Sequence, residues 1–376
     1  MGTWLAQIPW VQTNLRASNT ELGVALLFTA VGALVAMPIT GQWLTRVPSR
    51  RMVRATSLLF VPVLVLPLLA PTLPLLALSL LLFGALNGSM DVSMNSHGIG
   101  VERALGRPIM SSLHGFWSMG SLLGAATVAV TTGLGVDPLT ESLCLIVALW
   151  LLAITATARI GSVPRPADAP TTRIQLPSRA VLPLGLLAMA LALIEGGIGD
   201  WAGIYMRRTL DAAPGLSAAG FTAFALGMTI GRLSGDVLNR RLGPGRLLQS
   251  GAALAAVLLG VLLVAGQPYV ALVGFTMVGL GVANGLPLLF SAGGRIPPSG
   301  PSLSAVFTVA YAGFLVGPPV IGFLSDRIGL TGALGCLAIL SGIVALGVRR
   351  APGVEGASVQ DVFADPVASS VTEVAG

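Results

Sequence analysis

"GALNGSMDVSMNSHGIG", residues 84–100, follows a nearly unbroken apolar run from Leu73 to Phe83 and sets Asn87, Asp91, Asn95 and His97 where the chain is otherwise greasy. Asn87, Asp91 and Asn95 are spaced i, i+4, i+8, which places all three on one face of a helix. An ionised Asp at the centre of a spanning helix costs on the order of 3 kcal/mol on insertion scales. The face is therefore predicted to line a water-filled cavity or to meet hydrogen-bond donors, not lipid.

Around this stretch the composition is that of a membrane. Apolar residues make up 54% of the 376 and charged residues 10%, outside the range of soluble domains. A bilayer core takes about 20 apolar residues per helix. Such stretches fall near residues 22–43, 53–70, 73–97, 109–132, 138–160, 180–206, 216–238, 246–266, 268–291, 302–324 and 329–348. The opening "MGTWLAQIPWV" is too short to cross, carries no basic leader, and reads as the outer half of a further first helix, either truncated or with its true start upstream. The predicted fold is an all-α polytopic membrane protein.

All 21 basic residues are arginine. Sixteen, from Arg46 to Arg350, lie in or beside alternate loops; Arg16, Arg207, Arg208 and Arg327 lie on the other side, and Arg232 lies within a helix. The positive-inside rule then makes the loop after residue 43 and the C-terminus cytoplasmic, in a bacterial inner membrane. The net charge of +6 is topological, and no nucleic-acid partner is expected. Cys144 and Cys336 are lone intramembrane thiols. Two histidines and no acidic cluster at ligand spacing imply neither metal nor cofactor. Residues 161–179 are Pro-rich and basic and divide the chain into helical bundles at 1–160 and 180–350; the acidic tail, 351–376, reads as disordered.

The halves repeat. "GALNG" at 84–88 recurs as "GVANG" at 281–285, pairing Asn87 with Asn284 at an offset of 197, which also sets His114 on Tyr311; Gly41 and Gly235 match at 194. A parallel duplication of six helices suits two halves that rock about a central site.

The six-plus-six plan, the Gly-x-x-x-x-Arg loop after the second helix, its echo "GDVLNRRLG" and "GPPVIGFLSDRIG" resemble the major facilitator superfamily. Within it, "MDVSMNSHGIGVERALGRPIMSSLHGFWSMG" and "LIEGGIGDW" resemble the fucose-permease branch, with Asp91, Asn95, His114, Phe116 and Gly120 at its helix 4 and 5 motif positions and Glu195 at its helix 7 glutamate. That resemblance implies a major-facilitator fold of two pseudo-symmetric six-helix bundles and sugar–proton symport. Two departures stand out: Thr45 occupies a usually acidic loop position and Pro48 a usual Gly, and the segment that would hold the branch's helix 1 acid is absent.

Asp91 is a candidate proton carrier, or else a permanent anion holding Arg54, Arg103 or Arg107. Glu195, beside Gly196, Gly197 and Gly199, sits where a weakened helix suits a substrate or proton ligand, or serves helix packing. Asn87, Asn95, His114, Asn284, Trp201 and Tyr311 are the candidate substrate ligands. Arg232 and Asp236, four apart, with Arg240, Arg46 and Arg50, form a candidate cytoplasmic latch. Asp326-Arg327 reads as an outer surface pair of little weight. The expected protein is a monomeric, non-enzymatic carrier of a small polar solute, sugars included, in symport with protons. Proton-driven efflux of an amphipathic compound and a non-transporting sensor are the alternatives.

Overall fold

The computed structural model describes residues 1–105, 110–163, 181–297, 299–351 and 354, and among these it is entirely helical. In chain order the helices are α1 (Gly2–Leu15), α2 (Asn19–Leu44), α3 (Ser49–Val63), α4 (Leu66–Leu69), α5 (Leu73–Leu105), α6 (Met110–Gly133), α7 (Pro138–Ala158), α8 (Leu182–Ile204), α9 (Pro214–Leu242), α10 (Pro244–Ala265), α11 (Pro268–Val282), α12 (Gly285–Gly293) and α13 (Ser299–Gly347). Among the described residues, ten segments are long and apolar enough to cross a membrane. The last of them holds two crossings, because Gly329 (φ 76°, ψ 158°) breaks α13. These crossings match the eleven stretches read from the sequence. The 14-residue α1 spans about 21 Å at 1.5 Å per residue. Most of the 161–179 loop and the acidic tail lie outside the described residues.

Local chemistry sets the helix ends. Ser18 caps α2 with a full capping box: its Oγ accepts from Glu21 N, and Glu21 accepts from Ser18 N. Asp137 accepts from Thr140 N at 3.0 Å to start α7, with Pro138 as first residue. Pro214, Pro244 and Pro268 open α9, α10 and α11 in the same way.

The repeat appears in the packing, with a corrected register. A Cβ on Gly32 of α2 would strike Leu81 O of α5 and lie 2.8 Å from Ala85 N; one on Gly227 of α9 would strike Thr276 O of α11 and lie 2.8 Å from Leu280 N. Gly84 meets Thr29 O just as Gly279 meets Phe224 O. All of these pairs are related by 195 residues, not by the 197 and 194 of the motif matches. "GVANG" echoes "GALNG" in letters, but it falls where the chain breaks between α11 and α12.

The two halves meet along α2–α13, along α6–α9, and where α1 packs on α8 and α9. At the arginine-poor end the contacts are close. Gly215 at the start of α9 lies against Gly133 at the end of α6, Gly322 lies against Asn19 O, and Gly203 lies against Pro9. Asp326 accepts from Asn19 N (3.3 Å) and Thr20 N (2.8 Å), capping α2 from the other half. Arg208 donates to Ala17 O at 3.2 Å. This corrects the reading of Asp326-Arg327 as a surface pair: Arg327 lies over the Phe323 ring at 4.0 Å, and Asp326 joins the halves.

Candidate functional site

The stripe that opened the sequence reading lies on α5 as predicted, with its three polar residues partly buried. Asn95 Nδ2 donates to Asp91 Oδ1 at 3.1 Å, the i, i+4 contact that a helix makes available. The Oδ1 atoms of Asn87 and Asn95 are buried acceptors with no partner among the described residues. Asp91 is within electrostatic reach of His114 on α6 and Tyr311 on α13. Two of the six candidate ligands thus converge on the acid from different helices, one of them from the opposite half.

A second cluster adjoins the first. One turn after His114, Ser118 returns its hydroxyl to His114 O at 3.1 Å. Its Oγ also accepts from Arg232 Nη1 of α9 at 2.8 Å. Arg232 Nη2 pairs with Glu195 Oε1 of α8 at 3.0 Å, with side chains 29% and 20% exposed. Tyr311 packs edge-on against Phe314, with centroids 6.1 Å apart, and Phe314 covers Gly196, the neighbour of Glu195. The glycine beside the acid makes room for that ring. Asp91, His114, Ser118, Arg232, Glu195 and Tyr311 therefore form a ring contributed by α5, α6, α9, α8 and α13, with one carboxylate from each half.

The ring revises the reading of Arg232. The i, i+4 spacing predicts a bond to Asp236 at the end of a latch. The structure instead turns Arg232 to Glu195 and Ser118, because a guanidinium in the membrane gains more from a half-buried carboxylate than from an exposed one. Asp236 and Arg240 are exposed near the end of α9. Arg50 lines a cavity of about 350 Å³ with Ser49, Arg51, Arg54 and Ser162 at the arginine-rich end, and Arg46 lies in the α2–α3 turn.

Two other candidates stand apart from the ring. Trp201 is fully buried, its Nε1 without a partner among the described residues. Asn284 sits at the α11–α12 break and donates Nδ2 to Gly231 O at 2.9 Å, while its Oδ1 occupies the space above Gly235. Its amide is engaged in holding α9. Sequence reasoning passed over Glu141, a buried acid on α7 that accepts from Gln7 Nε2 of α1 at 3.3 Å; the same amide donates to Ser142 Oγ at 3.0 Å. In the sequence it stands in the first turn after Asp137-Pro138, where an acid is ordinary at a helix start.

A family model described as Major Facilitator Superfamily matches residues 1–300. The chain belongs to the major facilitator superfamily. An uncharacterised transporter of that type from Yersinia pestis is 32% identical over 353 residues, covering 93% of this chain and 91% of the relative. Among solved structures, a bacterial homologue of the human lysosomal transporter Spinster, in an inward-facing and occupied conformation, superposes with a TM-score of 0.70 at 13% identity, covering 93% of each chain. The nucleoside transporter NupG does so with 0.69 at 14% identity, covering 93% of this chain and 94% of that one. At those identities the likeness is one of fold. The two pseudo-symmetric bundles are those of a major facilitator, and the chain is a multi-pass membrane transporter.

Proposed function

We propose that the protein is a proton-coupled symporter that imports a small polar solute, sugars among the solutes it would suit, by alternating access around the ring of Asp91, His114, Ser118, Arg232, Glu195 and Tyr311. The observation that carries the reading is that ring: two carboxylates, one from each half, with polar residues of both halves between them at the junction that must rock. Asp91 and Glu195 are the coupling groups. The free acceptors of Asn87 and Asn95, with His114 and Tyr311, suit the hydroxyls of the solute, and their polarity speaks against an amphipathic efflux substrate. These residues also carry the resemblance to the fucose-permease branch.

The sixteen-to-four arginine asymmetry makes the arginine-poor, tightly packed end the outer one, with the C-terminus in the cytoplasm of a bacterial cell. The closed outer contacts then belong to an inward-facing monomer. Arg46, Arg50, Asp236 and Arg240 form the inner latch that engages when the cavity turns outward, without Arg232. In this scheme a membrane potential of about 100 mV supplies roughly 2.3 kcal/mol per charge moved, enough for about 50-fold accumulation of an uncharged solute moved with one proton, whereas an anion moved with one proton answers to the pH gradient alone. Uptake into proteoliposomes under an imposed proton gradient tests the scheme: accumulation that collapses in Asp91→Asn supports it, and accumulation indifferent to both gradient and substitution refutes it.

A further inference from the structure

We propose that the solute taken up with the proton is an anion, a hydroxylated carboxylate, and that its carboxylate replaces Glu195 on Arg232. The inference rests on the symport reading and names the substrate class of the same site.

The argument starts from the Arg232–Glu195 pair at 3.0 Å. Glu195 lies near the middle of the Leu182–Thr209 crossing and Arg232 well inside Pro214–Leu242. In the empty site the two charges cancel. If Glu195 takes a proton, the pair breaks and Arg232 keeps its charge inside the membrane, with the neutral Ser118 hydroxyl as its other side-chain partner among the described residues. An uncompensated charge there opposes the conformational change. A neutral solute cannot relieve it. A carboxylate can: its two oxygens match the guanidinium fork, and the loaded site of Arg⁺, neutral Glu and bound carboxylate again sums to zero. The proton comes from the entry-side water, adds to the Glu195 carboxylate as its bond to Nη2 breaks, and leaves on the other side when the solute departs and the pair re-forms.

The other groups around the ring set the rest of the class. Asp91 on α5 lies within electrostatic reach of His114 on α6 and Tyr311 on α13, and His114 stands one turn before Ser118, which accepts from Arg232. Asp91 is engaged with Asn95 at 3.1 Å. With one arginine and a second carboxylate at the site among the described residues, a monoanion fits better than a dianion. The Oδ1 atoms of Asn87 and Asn95, without partners among the described residues, supply acceptors for hydroxyl groups on the solute body.

The test uses the full-length protein in detergent and in proteoliposomes, with D-glucuronate and D-galacturonate as probes and glucose and galactose as their neutral counterparts. The acids, and not the parent sugars, are expected to raise the melting temperature at about pH 6, and titration in buffers of different ionisation enthalpy is expected to show about one proton taken up per acid bound. Arg232→Gln should weaken acid binding by roughly 30-fold or more, with Arg232→Lys in between. Glu195→Gln should bind the acid without proton uptake and with little pH dependence, a signature that a packing role would not produce. Accumulation of the acid should follow the pH gradient and ignore an imposed potential. Failure of both acids to bind, equal binding of the parent sugars, or unchanged proton uptake in Glu195→Gln overturns the inference. Neutral sugars accumulating under a proton gradient would sink the anion class and leave symport standing; a pH gradient that drives none of the four solutes would count against symport itself.

Discussion

Asp326 spans the two halves of the carrier through two backbone bonds, and replacing it should move the conformational equilibrium by a calculable amount. Its carboxylate accepts from Asn19 N and Thr20 N at 3.3 and 2.8 Å, while Ser18 Oγ takes Glu21 N. With Ser18 N bonded to Glu21, all four amides left without partners at a helix start are satisfied, two of them by a residue more than 300 positions away. Losing an N-terminal cap costs about 0.5–2 kcal/mol, and the helix dipole adds about 0.3–1 kcal/mol for an anion. Because these amides are exposed, water recovers part of both, and about 1.4 kcal/mol is a central value, a factor of about ten in an equilibrium. The contact exists only while this end is closed, so the whole penalty falls on that conformer. Asp326→Ala should raise the ratio of open to closed forms at this end about tenfold, and Asp326→Asn, which keeps one acceptor, by less. Spin labels at the exposed Val24 and Ile328, in a background lacking the free Cys144 and Cys336, report the separation by pulsed resonance in nanodiscs. An unchanged distance distribution in Asp326→Ala would refute the reasoning.

Two further outcomes follow from the packing. Gly32→Val and Gly227→Val should each destabilise the protein by about 1–3 kcal/mol, because the side chains would strike Leu81 O and Thr276 O at equivalent places; the two losses of melting temperature should be similar if the 195-residue register holds. Gln7→Ala should lower the melting temperature by removing a donor to the buried Glu141, a loss of about 1–3 kcal/mol that Glu141→Gln should largely avoid, since a neutral amide needs less compensation.

Much of this architecture is legible in the sequence, and what is not legible is pairwise. The crossings follow from apolar runs of bilayer length, and the Asn87–Asp91–Asn95 stripe follows from i, i+4 spacing, because both depend on local geometry alone. Arg232 shows where local geometry fails. Spacing offered it Asp236 one turn away, and the fold gave it Glu195 from another helix and Ser118 from the other half. Asn284 misled in another way: its "GVANG" shares three of five letters with the "GALNG" around Asn87, but a helix break displaced it and engaged its amide with Gly231 O. The cap that Asp326 supplies to α2 had no signal in the sequence, since a cross-half partner is set only by how the bundles close.

The most direct test of the central claim is solute-induced proton entry. Proteoliposomes loaded with a pH-sensitive dye and challenged in turn with pentoses, hexoses, sugar acids and nucleosides should acidify inside on addition of at least one of these solutes, and the signal should vanish in both Asp91→Asn and Glu195→Gln. Solute uptake without acidification, or acidification unchanged in Asp91→Asn, would contradict the account.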